Sequence, residues 1–269
     1  MQPLLQVENL VKHYAAGRSV RPSESFAALD GVSLSIAPQT TLALVGESGS
    51  GKSTLALCVA CLESITSGSI WFEGVDVAAL SEKDRRKIRP HIQLVFQDPA
   101  ISLNPRWTAM EIISEPLLVQ QRSTDEQRQN KVFELLDCVA LSRKLAGRRA
   151  DELSGGQKQR LAIARSLTLE PKLIVLDEAL SALDCSVQAQ ISNLLLELQS
   201  SLGLTYLFIT HDLAMAAHVA DQIAVMDRGR IVETGPPENI LRSPNHEATR
   251  SLLAATLAFP KMQSALVDR

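Results

Sequence analysis

The sequence predicts an α/β domain with a parallel sheet, and three features of the chain indicate this fold class. Short apolar runs at 173–176, 206–209 and 223–226 are separated by helical segments, which is the alternation of strands and crossover helices in a parallel sheet. Another apolar run, at 41–45, ends at a Gly-Ser loop that leads into a helical segment. The third feature is size and composition: 269 residues, 45% hydrophobic and 21% charged, suit one main compact core with an appendage.

The N-terminal third adds strands of a different kind. Residues 4–11 and 27–36 mix apolar and polar side chains with a period near two, which predicts half-buried strands. The polar, proline-containing stretch 16–24 predicts a loop between them. A short apolar run at 92–96 predicts one further strand.

Helical patterns follow in the middle and at the end of the chain. From about 106 to 147 the pattern predicts a helical insertion, with the run Ser123, Thr124, Asp125 and Glu126 offering a capping box ahead of an apolar helix face. After Gly235, a proline at the mouth of a short helical segment predicts an appendage to the core.

Charge and hydropathy exclude several function classes. The 27 Lys and Arg residues against 30 Asp and Glu residues give a net charge of −3, so no overall electrostatic attraction for nucleic acid is expected. No apolar run approaches the roughly 20 residues that a membrane-spanning helix needs. Because residues 1–10 lack the basic start and apolar core of a secretory signal, the sequence predicts a protein that remains in the cytoplasm.

The four cysteines predict neither a metal site nor a redox site. Cys58 and Cys61 form a C-x-x-C within an apolar segment, whereas Cys138 and Cys185 are isolated. A metal or redox interpretation of the pair would need a second pair or a thioredoxin-like context. We therefore expect Cys58 and Cys61 to be small buried helix residues.

The Gly-Ser loop after the 41–45 strand fits the pattern G-x-x-x-x-G-K-[ST]. Its glycines allow backbone N–H groups to surround phosphate oxygens, while the lysine neutralises the outer phosphates and the serine hydroxyl can bind Mg²⁺. The helix that follows adds the positive end of its dipole. The sequence thus predicts a nucleoside triphosphate site formed by Gly46, Glu47, Ser48, Gly49, Ser50, Gly51, Lys52, Ser53 and Thr54.

Two carboxylates, Asp177 and Glu178, end the strand predicted at 173–176, and strand ends are where ligands bind in α/β sheets. Alone, such a pair would equally suit a strand that enters a solvated loop. The phosphate loop upstream favours function, with Asp177 holding Mg²⁺ through its water shell and Glu178 polarising the attacking water.

A second phosphate-binding site is predicted at Leu153, Ser154, Gly155, Gly156 and Gln157, ahead of a helical stretch at 158–167. Ser154 has the character of an N-cap, and the two glycines let the backbone approach an anion. An ordinary Ser-Gly-Gly helix start is the alternative.

These motifs together resemble those of ABC-transporter ATPases in order and approximate spacing, and the similarity covers nearly the whole chain. The set comprises the phosphate loop, Gln97, the 153–157 string, Asp177 with Glu178, the run 181–184 and His211. The resemblance implies an α/β P-loop NTPase of the ABC type at 1–235, with an antiparallel β subdomain and a helical subdomain at about 106–160. A short C-terminal extension would occupy 236–269.

The resemblance also implies roles for individual residues. Tyr14 resembles the aromatic residue that stacks on adenine, and Gln97 the residue that links Mg²⁺ and the γ-phosphate to the membrane subunits. His211 resembles the switch histidine that contacts the γ-phosphate and steadies the catalytic water. The 153–157 string would contact the nucleotide of an opposite subunit, so activity is expected to need a dimer. Ala179 stands where most members have proline, and we expect ATP hydrolysis to survive that change.

A finer similarity, at 92–99, 102–106 and 244–253, is to ATPases that energise uptake of oligopeptides, dipeptides, nickel chelates and metal–metallophore complexes. Within that subfamily the second of two unequal ATPase subunits fits best, and the 177–179 run with a short tail favours nickel or metallophore members. The implied partners are a second ATPase subunit, paralogous or identical, two transmembrane permeases and, indirectly, an extracytoplasmic solute-binding protein. The implied location is the cytoplasmic face of the plasma membrane.

Two other functions remain as alternatives. One is the ATPase of an ABC exporter, which adjacent genes for permeases and a secreted binding protein would argue against. The other is a soluble ABC ATPase acting on ribosomes or DNA, a class that normally carries paired ATPase domains or a long coiled coil. This sequence contains neither feature.

Overall fold

A computed structural model describes residues 2–15, 25–120 and 124–255 of the chain. The described strands are β1 Leu5–Ala15, β2 Ser25–Ile36, β3 Thr41–Val45, β4 Ser67–Phe72, β5 Val75–Asp76, β6 Ile92–Val95, β7 Leu173–Asp177, β8 Thr205–Thr210, β9 Gln222–Asp227 and β10 Arg230–Gly235. The described α-helices are α1 Lys52–Val59, α2 Glu82–Ile88, α3 Pro99–Ser102, α4 Ala109–Gln120, α5 Asp125–Cys138, α6 Gly155–Leu167, α7 Cys185–Leu202, α8 Leu213–Val219 and α9 Pro237–Arg242. The chain divides into two compact units, unit 1 with residues 1–85 and 206–269 and unit 2 with residues 86–205.

An antiparallel sheet in unit 1 has the strand order β2-β1-β4-β5. Leu5 lies opposite both Ile36 and Phe72, and all three side chains are buried, so one face of the sheet contributes to the core. The predicted strands at 4–11 and 27–36 are confirmed, and both are longer than the alternating pattern indicated. The predicted loop at 16–24 lies outside the described residues.

The second sheet portion of unit 1 has the order β10-β9-β3-β8, in which β3 pairs parallel to β8 and β9. Every residue of β3 and β8 is buried, which explains their continuous apolar runs. Val45 lies opposite Thr210, so Gly46 and His211 leave neighbouring strands at the same sheet edge.

In unit 2, β6 and β7 are parallel, with Val95 opposite Leu176. The chain therefore leaves both strands at one edge, just before Gln97 and Glu178. The predicted strand at 92–96 is one residue shorter, because pairing with β7 ends at Val95, and Phe96 beyond it is 40% exposed.

Helix α5 begins with a capping box that starts within the predicted run 123–126 and ends one residue beyond it, at Gln127. Thr124 is the N-cap: its side chain accepts the backbone N–H of Gln127, and the Gln127 side chain returns a bond to the Thr124 backbone N–H. The helix is thus confirmed and its cap lies one residue later than Ser123, which is outside the described residues.

The prediction that Cys58 and Cys61 are both buried helix residues is wrong for Cys61. Cys58 is buried within α1, but the helix ends at Val59 and Cys61 is buried in the following turn with φ of 57°. This left-handed conformation lets the Leu62 N–H bond to the Leu57 carbonyl, which closes the helix end. Burial raises the pKa of the Cys58 thiol to about 12.

The appendage after Gly235 starts, as predicted, with a short helix whose N-cap is Pro236. The chain then returns to β10, where the Glu233 carboxylate accepts the backbone N–H groups of Asn245 and His246, at 2.9 and 3.0 Å, and the Thr249 hydroxyl at 2.5 Å. One carboxylate therefore attaches the helical residues 247–255 to the core. Among the residues that the structure describes, no helix is long and apolar enough to cross a membrane.

Candidate nucleotide-binding and hydrolysis site

The phosphate-loop motif lies between β3 and α1 in unit 1, in the strand, loop and helix context that the sequence predicted. Gly51 is the N-cap of α1 with φ of 109°, a conformation that favours glycine. A Cβ atom on Gly51 would lie 2.4 Å from the Ala28 carbonyl oxygen, and one on Gly46 would lie 2.3 Å from that of Met226. Only glycine fits at either position, so the backbone of neighbouring segments fixes the loop closely.

Lys52 turns back towards the loop that precedes it. Its side chain is 4% exposed, and Nζ donates to the carbonyl oxygens of Gly46 and Glu47, each at 2.8 Å. Buried ammonium groups are costly unless they are hydrogen bonded, so these carbonyls hold the cation at the mouth of the loop. That is where a phosphate group bound by the loop would need it.

Two further features of the loop suit a triphosphate. Acidic side chains are absent from the first turn of α1, all of whose residues are described, so the positive end of the helix dipole is not neutralised there. In the described part of the chain, the buried Oγ of Ser50 has no hydrogen-bond partner. The loop residues Glu47, Ser48, Gly49 and Ser53 are exposed, while Thr54 is half-buried.

His211 follows β8 and is exposed at the sheet edge from which the phosphate loop also leaves. Its neighbour Asp212 caps α8 by accepting the N–H groups of Ala214 and Met215, at 2.8 and 3.0 Å. The turn that carries the histidine is therefore fixed by the cap.

Tyr14, near the end of β1, is 37% exposed and lies opposite Phe26 of β2. The ammonium of Lys12 lies 4.9 Å from the centre of the Tyr14 ring. A partly open aromatic face in unit 1 thus belongs to the same compact unit as the phosphate loop.

Unit 2 brings Gln97 and Glu178 into direct contact. The Gln97 Nε2 donates to Glu178 Oε2 at 3.1 Å and to the Ser181 hydroxyl at 3.3 Å. The Ser181 hydroxyl in turn donates to the Glu178 carbonyl at 2.9 Å. Gln97 therefore bonds to both the Glu178 carboxylate and Ser181, and Ser181 bonds back to the Glu178 backbone, so the Gln97 amide is the group that orients the carboxylate.

Glu178 has φ of 47°, a left-handed conformation that is uncommon for a residue with a side chain. Asp177, one residue earlier, is the last residue of β7 and is half-buried. The backbone therefore changes from the extended conformation of β7 at Asp177 to a left-handed conformation at Glu178. Strain of this kind often occurs at functional sites.

The 153–157 string begins α6, as predicted, although the helix starts at Gly155, three residues earlier than the predicted stretch. The Ser154 side chain accepts the Gln157 backbone N–H at 3.3 Å, and Gln157 Oε1 accepts the Ser154 backbone N–H at 3.0 Å. The helix dipole and the two glycines remain at the exposed start of a 13-residue helix. Sequence reasoning did not assign Gln157 this capping role, although the Ser-x-x-Gln spacing from Ser154 is the capping-box pattern.

Sequence reasoning assigned no role to Ser181 or Lys12. Ser181 belongs to the run 181–184, and its position three residues after Glu178 was the available signal. Lys12 gave the weaker signal of a cation two residues before the predicted stacking aromatic.

Comparisons with known proteins agree with this geometry. The family model for ABC transporters matches residues 29–181. The dipeptide transport ATP-binding protein DppF of Escherichia coli is 44% identical over 95% of this chain and 77% of its own length. The oligopeptide transport ATP-binding protein OppD of Mycobacterium bovis is 48% identical over 94% of this chain, which spans 42% of that relative.

Solved structures give the same result for the fold. The dimeric bacterial ABC transporter cassette MJ0796 has a TM-score of 0.77 at 31% identity, covering 87% of this chain and 98% of its own. Cassette cbiO1 from Clostridium perfringens, part of the ABC transporter complex cbiONQ, has a TM-score of 0.79 at 28% identity, covering 99% of both chains.

Fold and site together define an ATP-binding cassette. The chain belongs to the ABC transporter family, within which it is an ATP-binding subunit and an ATPase. The predicted fold class and enzyme class are confirmed.

Proposed function

We propose that this ATPase energises an importer of peptides, working as one of two ATPase subunits with two permeases at the cytoplasmic face of the plasma membrane. The names of DppF and OppD, at 44–48% identity over nearly the whole chain, support dipeptides or oligopeptides as the cargo class. Nickel and metallophore cargo, which the short tail favoured, remains the alternative within the same subfamily. The proposal takes residues 1–235 as the ATPase domain, with a helical subdomain at about 106–160, and 236–269 as an extension.

The nucleotide roles follow from the chemistry of each group. Lys52 and the N–H groups of the phosphate loop bind the phosphates, and Tyr14 stacks on the base. Hard oxygen donors suit Mg²⁺, and the family pattern assigns it to the Ser53 hydroxyl, the Gln97 amide oxygen and Asp177. The ion would neutralise charge that develops on the phosphates.

Hydrolysis is assigned to Glu178, and the observation that carries this assignment is its 3.1 Å contact with Gln97. The Gln97 amide holds one carboxylate oxygen, and the carboxylate would accept a proton from the attacking water. His211 would steady that water beside the γ-phosphate. The start of α6, including Ser154, Gly155, Gly156 and Gln157, would bind the γ-phosphate of the partner's nucleotide, so that two chains complete each site.

Glu178→Gln tests the hydrolytic role. The amide keeps the shape of the side chain and an oxygen that can accept from Gln97, but it loses the charge that polarises water. Turnover should fall by about 10²–10⁴, while equilibrium ATP binding is retained. Asp137→Asn, which removes a carboxylate paired with Arg143 elsewhere in unit 2, is the matched control and should leave turnover unchanged. Near-normal turnover of Glu178→Gln, after subtraction of the partner's background, would contradict the assignment.

A pocket of about 200 Å³ in unit 2 is the proposed contact with a permease. Its lining includes Leu94, Phe96, Leu103, Pro116, Val119 and Arg165. Phe96 and Val119 are 40% and 72% exposed, and the Arg165 guanidinium is paired with Glu115 at 2.8 Å. An apolar floor with a charged rim suits a short amphipathic segment of a partner. Phe96 immediately precedes Gln97 in the chain. A partner segment bound in the pocket would therefore contact the residue next to the one that bonds to Glu178.

Val119→Asp tests this contact, since it places a charge on an exposed apolar residue of the pocket lining. Co-purification with the permeases should fall, whereas ATP binding by the lone chain should not change. Leu202→Asp replaces another exposed aliphatic side chain of unit 2, outside the pocket, and the variant should co-purify normally. Equal behaviour of the two variants would count against the pocket.

The cargo is tested on the solute-binding protein that delivers substrate to the same transporter. Calorimetric titration with dipeptides, longer peptides and nickel chelates should show heat for peptides. Binding of a nickel chelate alone would transfer the proposal to the metal branch of the subfamily.

A further inference from the structure

The Lys12 side chain is buried in unit 1, and none of the nucleotide-binding roles proposed above involves it. The residue is 7% exposed, and its Nζ donates to Glu63 Oε1 at 2.7 Å and to the Ser64 carbonyl at 2.6 Å. Hydrogen bonding to Glu63 raises the pKa of Lys12 despite the opposing effect of burial, and the same bond lowers the pKa of Glu63. The group is therefore a fixed cation.

This cation lies against the aromatic ring that is proposed to stack on the base. The distance from Nζ to the centre of the Tyr14 ring is 4.9 Å, within the roughly 6 Å over which a cation is attracted to an aromatic face. Because the ammonium occupies one face of the ring and Tyr14 is still 37% exposed, a planar ligand would stack on the remaining face.

The two groups that hold the ammonium connect it to the phosphate loop. Glu63 and Ser64 follow the end of α1, the helix that starts at that loop. The same segment is bound to β1, since the Thr66 N–H bonds to the Val11 carbonyl at 2.8 Å and the His13 N–H to the Thr66 hydroxyl at 2.9 Å. The ring is therefore positioned relative to the element that binds the phosphates.

We propose that Lys12 is a positioning residue for base recognition: held by Glu63 and Ser64, its ammonium fixes the Tyr14 ring and covers one face, so that the base of ATP stacks on the other. The inference rests on the proposed stacking role of Tyr14. Lys12 does not touch the nucleotide, and it acts through the ring.

The test compares two ligands that differ in the base. Equilibrium binding of MgATP and of magnesium tripolyphosphate, which lacks base and sugar, is measured calorimetrically on the full chain carrying Glu178→Gln to prevent turnover. Lys12→Met should weaken MgATP binding about two- to five-fold and leave tripolyphosphate binding unchanged. Lys12→Arg keeps a cation that can lie against the ring, and should retain most of the ATP affinity.

A double-mutant cycle separates this inference from the proposed function. Tyr14→Leu should weaken MgATP binding, and adding Lys12→Met to it should have no further effect. If Tyr14→Leu kept normal ATP affinity, the stacking role would be wrong and the inference with it. If Tyr14→Leu weakened binding while Lys12→Met did not, only the role of Lys12 would be wrong. Equal weakening of ATP and tripolyphosphate by Lys12→Met would assign Lys12 a merely structural role.

A milder variant serves if Lys12→Met does not fold. Glu63→Ala removes one of the groups that hold the ammonium, and the Glu63 side chain is 32% exposed, so the fold should tolerate its loss. A smaller loss of affinity, again for ATP only, is expected. Normal ATP affinity in Glu63→Ala would overturn the proposal.

Discussion

The two glycines of the 153–157 string should respond in opposite ways to substitution by alanine. Gly155 and Gly156 are the first two residues of α6. A Cβ atom on Gly155 would lie 3.5 Å from Leu183 Cδ2, an ordinary contact. On Gly156 it would lie 2.8 Å from Val187 Cγ1, closer than real Cβ atoms approach, and the short branched valine side chain has little freedom to move away.

The magnitudes follow from these two distances. Alanine is favoured over glycine in a helix by up to about 1 kcal/mol, and less in the first turn. Overpacking costs about 1–3 kcal/mol. Gly155→Ala should therefore leave the free energy of unfolding unchanged or raise it by up to about 1 kcal/mol, whereas Gly156→Ala should lower it by up to about 2 kcal/mol.

Urea unfolding followed by far-ultraviolet circular dichroism measures both variants, and Val187→Ala in the Gly156→Ala background should recover much of the loss. Equal stability of the two alanine variants would refute the packing argument.

The difference between the two glycines also decides which of them should be substituted to test the role of the α6 start in binding the partner's nucleotide. Gly156→Asp adds a charge and a clash within its own chain, while Gly155→Asp adds mainly the charge. Gly155→Asp should abolish ATP-dependent association with the partner ATPase while the lone chain still binds ATP, and normal association would contradict a shared site.

Three further predictions concern other buried or hydrogen-bonded groups. Lys52→Ala removes the cation at the mouth of the phosphate loop, so ATP affinity should fall together with turnover, and an unchanged affinity in an equilibrium titration would contradict the role of the loop. Gln159 is fully buried on α6, and its Oε1 and Nε2 have no hydrogen-bond partner among the described residues. Gln159→Leu should therefore leave the free energy of unfolding unchanged or raise it by about 1–3 kcal/mol. A clear loss of stability in thermal unfolding would reveal an essential polar contact. Burial would raise the pKa of Glu233, but the hydrogen bonds from Thr249, Asn245 and His246 outweigh this effect and lower the pKa. The carboxylate therefore stabilises the fold at pH values above its ordinary pKa of 4.5. This stabilisation is lost as the pH falls through the lower pKa of the folded state. The stability advantage of wild type over Glu233→Gln, measured by urea unfolding, should therefore shrink from pH 6 towards about pH 3, and a pH-independent difference would contradict the linkage.

Sequence patterns predicted the strands whose residues are all buried and the elements that carry glycine-rich motifs. The strand β3 was evident because five consecutive apolar or small residues end at a glycine. The strands β4 and β5 were missed, since only two of the six residues of β4 are buried and β5 has two residues. No local pattern separates such short, exposed strands from loops.

The site shows the same limit at the level of side chains. Motif spacing identified Gln97 and Glu178, but it could not show that their side chains meet, because they are 81 residues apart in the chain. The burial of Lys12 depends on Glu63, which is 51 residues away, and pairs of this kind leave no periodic pattern. The apolar context of Cys61 predicts a helix, whereas the left-handed turn that ends α1 leaves no mark in the hydrophobic pattern.

At position 178 the residue that favours a stable fold differs from the residue proposed for hydrolysis, because the backbone of Glu178 is left-handed. Glycine and asparagine adopt this conformation with less strain than glutamate does, so a library selected only for abundance should enrich them at position 178. A library selected for transport should retain glutamate there. Under the proposed hydrolytic role of Glu178, paired selections at this position would separate what hydrolysis demands from what a stable fold demands, since each demand favours a different residue.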